Sequence, residues 1–191
     1  MAISLARWVD RQDWMEPAEE GLDTALGAAL EALGPRREAV EDFLHGERLG
    51  HPLHVMLTDI PIGAWTTAVV LDRLAERSRD SRPWERGARA AIGVGLVGAL
   101  GAALSGLEDW RRIQSPVRRV GLAHGLLNVL GVAAFTTSLL RRRRSGAGRR
   151  SALAGYALML AAARLGGHMV YQEGIGQRPA ERLPERSRKA A

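Results

Sequence analysis

Residues 90–107 read AAIGVGLVGALGAALSGL, and residues 120–140 read VGLAHGLLNVLGVAAFTTSLL. These runs of 18 and 21 residues carry no charged side chain. A helix rising 1.5 Å per residue needs about 20 apolar residues to cross a bilayer. Both runs meet that length, and two such runs in a soluble domain of this size are unusual. Two weaker segments flank them. Residues 55–71 are uncharged except for Asp59, and residues 152–172 are apolar apart from Arg164 and His168. The pattern predicts an all-α integral membrane protein, a four-helix up-down bundle.

Punctuation supports four spans. Gly50-His51-Pro52 reads as a helix start, with Pro52 where its missing N–H costs nothing. Glu108 to Arg112 closes the second span, Arg141 to Arg144 the third, and Gly174-Ile175-Gly176 the fourth. Trp110 and Tyr171 fall where interfacial aromatics belong. The second span holds Gly93, Gly95, Gly98, Gly101, Ala102, Ser105 and Gly106, a density that predicts close helix–helix contact. Gly93 to Gly98 also spells G-x-G-x-x-G, but no strand precedes it, so packing is the better reading. Glu108 with Asp109 is read as helix-terminal charge at the interface, rather than as a catalytic carboxylate pair.

The chain divides into residues 1–50, residues 51–176 and a polar tail, 177–191. The first segment is acidic, and Leu22, Leu26, Leu30 and Leu33 recur at helical spacing. It predicts amphipathic helices capping the bundle, because acidic faces do not favour anionic lipid. Its start, MAISLARWVDRQDW, has no continuous apolar stretch, so no cleavable signal is expected. The net charge is +6, and arginine supplies nearly all of it. The arginines lie between apolar runs without interleaved aromatics, which argues against nucleic acid as a partner and for the lipid bilayer. Arg141 to Arg144, with Arg149 and Arg150, tip the orientation towards that side being cytoplasmic in the cell membrane. The chain has no cysteine, which excludes disulfides, thiol nucleophiles and cysteine-ligated metal or iron–sulfur centres.

The histidines are the candidate functional feature. His51 and His54 open the first span, His124 lies about one turn into the third, and His168 about one turn before the end of the fourth. Alternating helix directions put all four at similar depth on the side of the termini, with His45 on the approach. Asn128 follows His124 by four residues, and Arg164 precedes His168 by four, so each pair shares a helix face. Asp59 and Arg164 lie at comparable depth, and an intramembrane charge is costly, so an Asp59–Arg164 ion pair across the first and fourth spans is expected.

Three readings of this cluster stay open. One is ligation of haem b by imidazoles from facing helices, serving electron transfer with a redox partner protein. The second is a non-haem metal or proton-relay site that adds Asp59 or Glu108. The third is structural, with the histidines capping helices and hydrogen-bonding across the bundle. Candidate cofactor ligands are His51, His54, His124 and His168, supported by Asp59, Asn128 and Arg164.

Several stretches also resemble the bacterial membrane family known as domain of unknown function 2231. These are Phe43-Leu44-His45-Gly46, Leu49-Gly50-His51-Pro52-Leu53-His54, and Leu57-Thr58-Asp59-Ile60-Pro61-Ile62-Gly63-Ala64-Trp65. Gly106 to Trp110, Gly121 to His124, and Leu165 to Tyr171 resemble the later spans of that family. Val55 replaces the proline that typically follows G-H-P-L-H. The resemblance implies a four-helix membrane protein. Some relatives carry a C-terminal Rieske domain, which implies electron transfer; this chain has no cysteines for such a domain.

Overall fold

The computed structural model describes residues 2–113, 117–142 and 147–175, and all its regular elements are helical. Three short helices come first: α1 (Ala2–Asp10), α2 (Glu16–Glu31) and α3 (Arg37–His45). Four long ones follow: α4 (Leu53–Arg77), α5 (Arg82–Arg111), α6 (Val117–Arg141) and α7 (Ala147–Tyr171). All four long helices have the length and apolarity to cross a membrane. Pro52 caps the start of α4, and α4 continues through Pro61, which is buried. Arg143, Arg144 and residues 176–191 lie outside the described residues.

The long helices form a square. α4 packs chiefly on α5 and α6 chiefly on α7, while α5·α6 and α4·α7 close the remaining sides. α4 and α6 therefore stand on one diagonal. Acyl chains are as apolar as leucine, so close packing rather than water exclusion must hold such helices together. The glycines of α5 serve this end. A Cβ at Gly95 would overlap the Trp65 indole, and one at Gly98 would meet Ile60 Cγ2 at 2.5 Å. The G-x-G-x-x-G run is thus a packing surface.

The bundle is an internal repeat. Three contacts cross the α4–α6 diagonal: His54 with His124, Trp65 with Phe135, and Asp72 with Arg142. In each, the second residue lies 70 positions after the first. The partner helices repeat at a different offset. Gly95 seats Trp65 as Gly155 seats Phe135, and Gly106 backs His54 as Gly166 backs His124. The hairpin α4–α5 is thus related to α6–α7 by an approximate twofold along the bundle axis. Residues on the axis meet their own counterparts, which is how one helical hairpin, used twice, closes a core.

The N-terminal helices dock on one end of the bundle. Ala6, Val9 and Met15 are buried against Val120, Leu165 and Met169. The acidic surplus of this segment finds its partners on the bundle. Arg119 reaches Asp13 and the Asp10 carbonyl, both at 2.8 Å, and Asp23 lies 3.0 Å from Arg118 and 3.3 Å from Arg111. Trp110, at the end of α5, is buried against the protein. Its Nε1 donates to the Arg118 carbonyl at 2.9 Å, and the Arg118 guanidinium lies 4.1 Å from its ring centre.

Glu19 is the misfit in this cap. It is 6% exposed, and its Oε1 has no hydrogen-bond partner. Burial pushes its carboxyl above the ordinary 4.5, against the opposing pull of Arg119 and Arg118, while Glu16 adds to the rise. A carboxyl whose folded pKa is raised favours the folded state below its ordinary pKa. That contribution is lost as pH rises through the raised value. Docking of α1 and α2 should therefore tighten on moving from neutral to mildly acidic pH. Glu19→Gln should tighten it at neutral pH and flatten the dependence. Amide exchange protection in α1 and α2 measures this; unchanged protection in Glu19→Gln would refute it.

Candidate functional site

His54 sits in the first turn of α4, where Leu53 points into the core and the imidazole turns towards the bundle axis. Its Nδ1–H donates to the Ala102 carbonyl of α5 at 2.8 Å. His124 does the same from α6, with Nδ1–H donating to the Ala162 carbonyl of α7 at 2.8 Å. Ala102 and Ala162 are equivalent positions of the repeat. Each ring also lies on a glycine one turn beyond that carbonyl: a Cβ at Gly106 would stand 2.7 Å from His54, and one at Gly166 would stand 3.1 Å from His124. A side chain at Gly106 would force the His54 imidazole to move, and one at Gly166 would press His124 by a few tenths of an ångström.

The two rings face each other across the diagonal. Their centres are 6.5 Å apart and their planes are at 82°. Asn128, one turn along α6, donates from Nδ2 to His124 Nε2 at 2.9 Å and to the His124 carbonyl at 3.1 Å. His124 therefore holds its proton on Nδ1 and a lone pair on Nε2, the tautomer that a metal ligand or a hydrogen-bond acceptor requires.

The other expected site residues stand elsewhere. His51 is exposed, with Nδ1 3.3 Å from the Leu49 carbonyl. His168 Nε2 lies 3.5 Å from Glu173 Oε1 at the end of α7. Asp59 and Arg164 are both exposed, and the expected ion pair between them is absent. Their depth was readable from the sequence, but each points out of the bundle. Among the described residues, no group of three or more His, Cys, Asp or Glu side chains gathers where it could hold a metal ion.

One cluster went unread in the sequence. His45 closes α3, and Gly46 turns the chain back at φ 75°, so tightly that a side chain there would strike the His51 carbonyl. This presses His45 onto the end of α5. Its Nδ1 lies 2.9 Å from Asp109 Oδ1 and its Nε2 3.3 Å from Glu108 Oε1. Glu108 is buried, and Arg111 stands 3.5 Å from its other oxygen. Glu108 and Asp109, at the end of α5, thus anchor the α3 linker. The signal for this was His45 itself, a lone histidine just before a glycine turn.

The region from residue 50 to residue 179 matches DUF2231, described as a predicted membrane protein. No curated protein and no solved structure matches the chain. The match spans the four long helices with the His54–His124 pair, and the chain belongs to the DUF2231 family of predicted membrane proteins.

Proposed function

We propose that this protein is a b-type haem module of the cell membrane that passes electrons, in which His54 and His124 would hold the haem. One observation carries the reading: two imidazoles face each other across the bundle, each with its Nδ1–H held by a backbone carbonyl. Ligating histidines nearly always fix their other nitrogen in this way, which sets the tautomer and the ring orientation. The spacing also fits. The ring centres lie 6.5 Å apart, close enough for both imidazoles to reach one metal centre with bonds of about 2 Å. Bound there, haem b would supply a one-electron couple tuned by its ligands and their hydrogen bonds. The protein's part is to hold both rings through Ala102 and Ala162. Electrons would come from a redox partner protein. A non-haem metal centre fits less well, since it would need further donors beside the two histidines.

A second reading is favoured by Asn128. Its amide occupies the His124 lone pair that iron would take, so the cluster would then be a hydrogen-bonded lock between hairpins. The two readings part experimentally. The protein is purified in detergent from haem-sufficient cells, and its absorption is recorded for wild type, His54→Ala, His124→Ala, His168→Ala and Asn128→Ala. The haem reading expects a Soret band in wild type, in His168→Ala and in Asn128→Ala, and its loss in the other two. Full haem retention in both His54→Ala and His124→Ala would overturn the ligand assignment. The lock reading expects no Soret band anywhere, with Asn128→Ala lowering thermal stability.

A further inference from the structure

Asp59 on α4 and Arg164 on α7 are charged, lie within membrane spans, and are exposed on the outside of the bundle. Among the described residues neither has an ion-pair or hydrogen-bond partner. Asp59 lies about 9 Å beyond the start of α4 and Arg164 about 10 Å before the end of α7, on the same side of the membrane. Left against acyl chains, the Asp59 carboxylate in particular carries a cost at that depth, since its short side chain cannot reach the interface as an arginine can.

The internal repeat supplies a control within the same molecule. The repeat partner of Asp59 is Val129, 63% exposed, and that of Arg164 is Leu104, 53% exposed. The α5–α6 side thus shows long aliphatic side chains where the α4–α7 side shows one acid and one base. Neighbouring positions diverge in both directions, with exposed Leu153 and Val55 answering to Gly93 and Gly125, while other positions are smaller on the α4–α7 side. Exposed Ala154 and Ala157 stand where α5 has Val94 and Val97, and a Cβ on the exposed Gly63 would meet nothing. Two sides built from one hairpin plan have therefore been filled differently. The aliphatic pair suits lipid, whereas the acid and base suit a protein partner that can neutralise them.

We propose that the α4–α7 side is the interface of a homodimer, in which Asp59 of each protomer pairs with Arg164 of the other. Two copies inserted in the same sense are related by a rotation about the membrane normal, which leaves depth unchanged. Residues at equal depth then meet reciprocally, and one acid with one base makes the surface complementary to itself. Gly63, Ala154 and Ala157 leave room locally for the approach of a second α4–α7 pair.

Single charge reversals test this in trans. Asp59→Arg leaves two bases on the face and Arg164→Asp leaves two acids. Each variant alone should be monomeric in lipid nanodiscs by native mass spectrometry, with at least a tenfold loss of dimer relative to wild type. The two variants co-expressed with different tags should recover a mixed dimer, because both ion pairs are then restored across the interface. A monomeric wild type, or a mixture that stays monomeric, would overturn the proposal. A second measurement covers misfolding of the reversed variants. The chain has no cysteine, so Asp59→Cys in one tagged copy and Arg164→Cys in another carry the sole thiols. Oxidation in native membranes should give a doubly tagged band at twice the 20.7 kDa chain mass. The same treatment of Val129→Cys with Leu104→Cys should not. Equal bands from both combinations, or none from the first, would rule the interface out.

Discussion

Replacing Asp72 with alanine should destabilise the bundle by about 3–5 kcal/mol, because it leaves Arg142 buried without a counter-charge. The pair closes the axis at the end opposite the histidines. Both side chains are under a tenth exposed, and the contact is bidentate, with Arg142 Nη1 donating to Asp72 Oδ1 at 2.6 Å and Nη2 donating to Oδ2. Arg142 Nε also donates to the buried Ser138 hydroxyl at 3.2 Å. A guanidinium so enclosed cannot lose its charge, so the whole penalty falls on the fold. In a detergent melt the loss corresponds to roughly 10 °C for a chain of this size. The double variant Asp72→Leu, Arg142→Met should recover most of it, since a buried ion pair exchanged for apolar side chains is often neutral. An Asp72→Ala protein that melts with wild type would show that the pair is solvated.

The second large effect is expected at Trp65. Its indole stacks on Phe135 with ring centres 4.2 Å apart and planes at 16°, and the two side chains are 3% and 0% exposed. Trp65→Ala should cost about 3 kcal/mol, the lower end of the range for burying and then deleting a large aromatic. The lower end applies because acyl chains offer no water to flee from, so lost packing makes up the cost. Phe135→Ala should cost a similar amount, and the double variant should reveal a coupling of about 0.5–1.5 kcal/mol from the stack itself. Strict additivity of the two losses in a denaturant titration would mean that the rings do not act as a pair.

The four spans were legible because a bilayer imposes length and apolarity, and both are written along the chain in residues 90–107 and 120–140. The glycines of α5 were legible for a similar reason: small residues on a membrane helix mean close approach. Depth was legible too, since it follows from counting along each helix. Rotation about the helix axis was not. It depends on which faces meet, and so four histidines at one depth resolved into a facing pair, His54 and His124, with His51 and His168 elsewhere. Asp59 and Arg164 failed as an internal pair on the same account.

The internal repeat was hidden for a different reason. Its two halves share function by position more than by residue: Trp65 answers to Phe135, and Asp72 to Arg142. The first hairpin is also longer, with 48 residues between histidine and carbonyl against 38 in the second. A single shift of the sequence on itself therefore never aligns both helices at once. The partners of the acidic N-terminal segment were equally hidden, since Arg119 finds Asp13 across 106 residues.

In the proposed haem reading, His54 and His124 would hold one haem between the two hairpins. The most direct measurement is the haem content of the detergent-purified wild-type protein, read as the pyridine haemochrome per chain alongside its reduced-minus-oxidised spectrum. About one haem b per chain is expected, with the low-spin spectrum that two imidazoles would give. Purification from haem-replete cells with no bound haem, and no uptake when haemin is added, would contradict it.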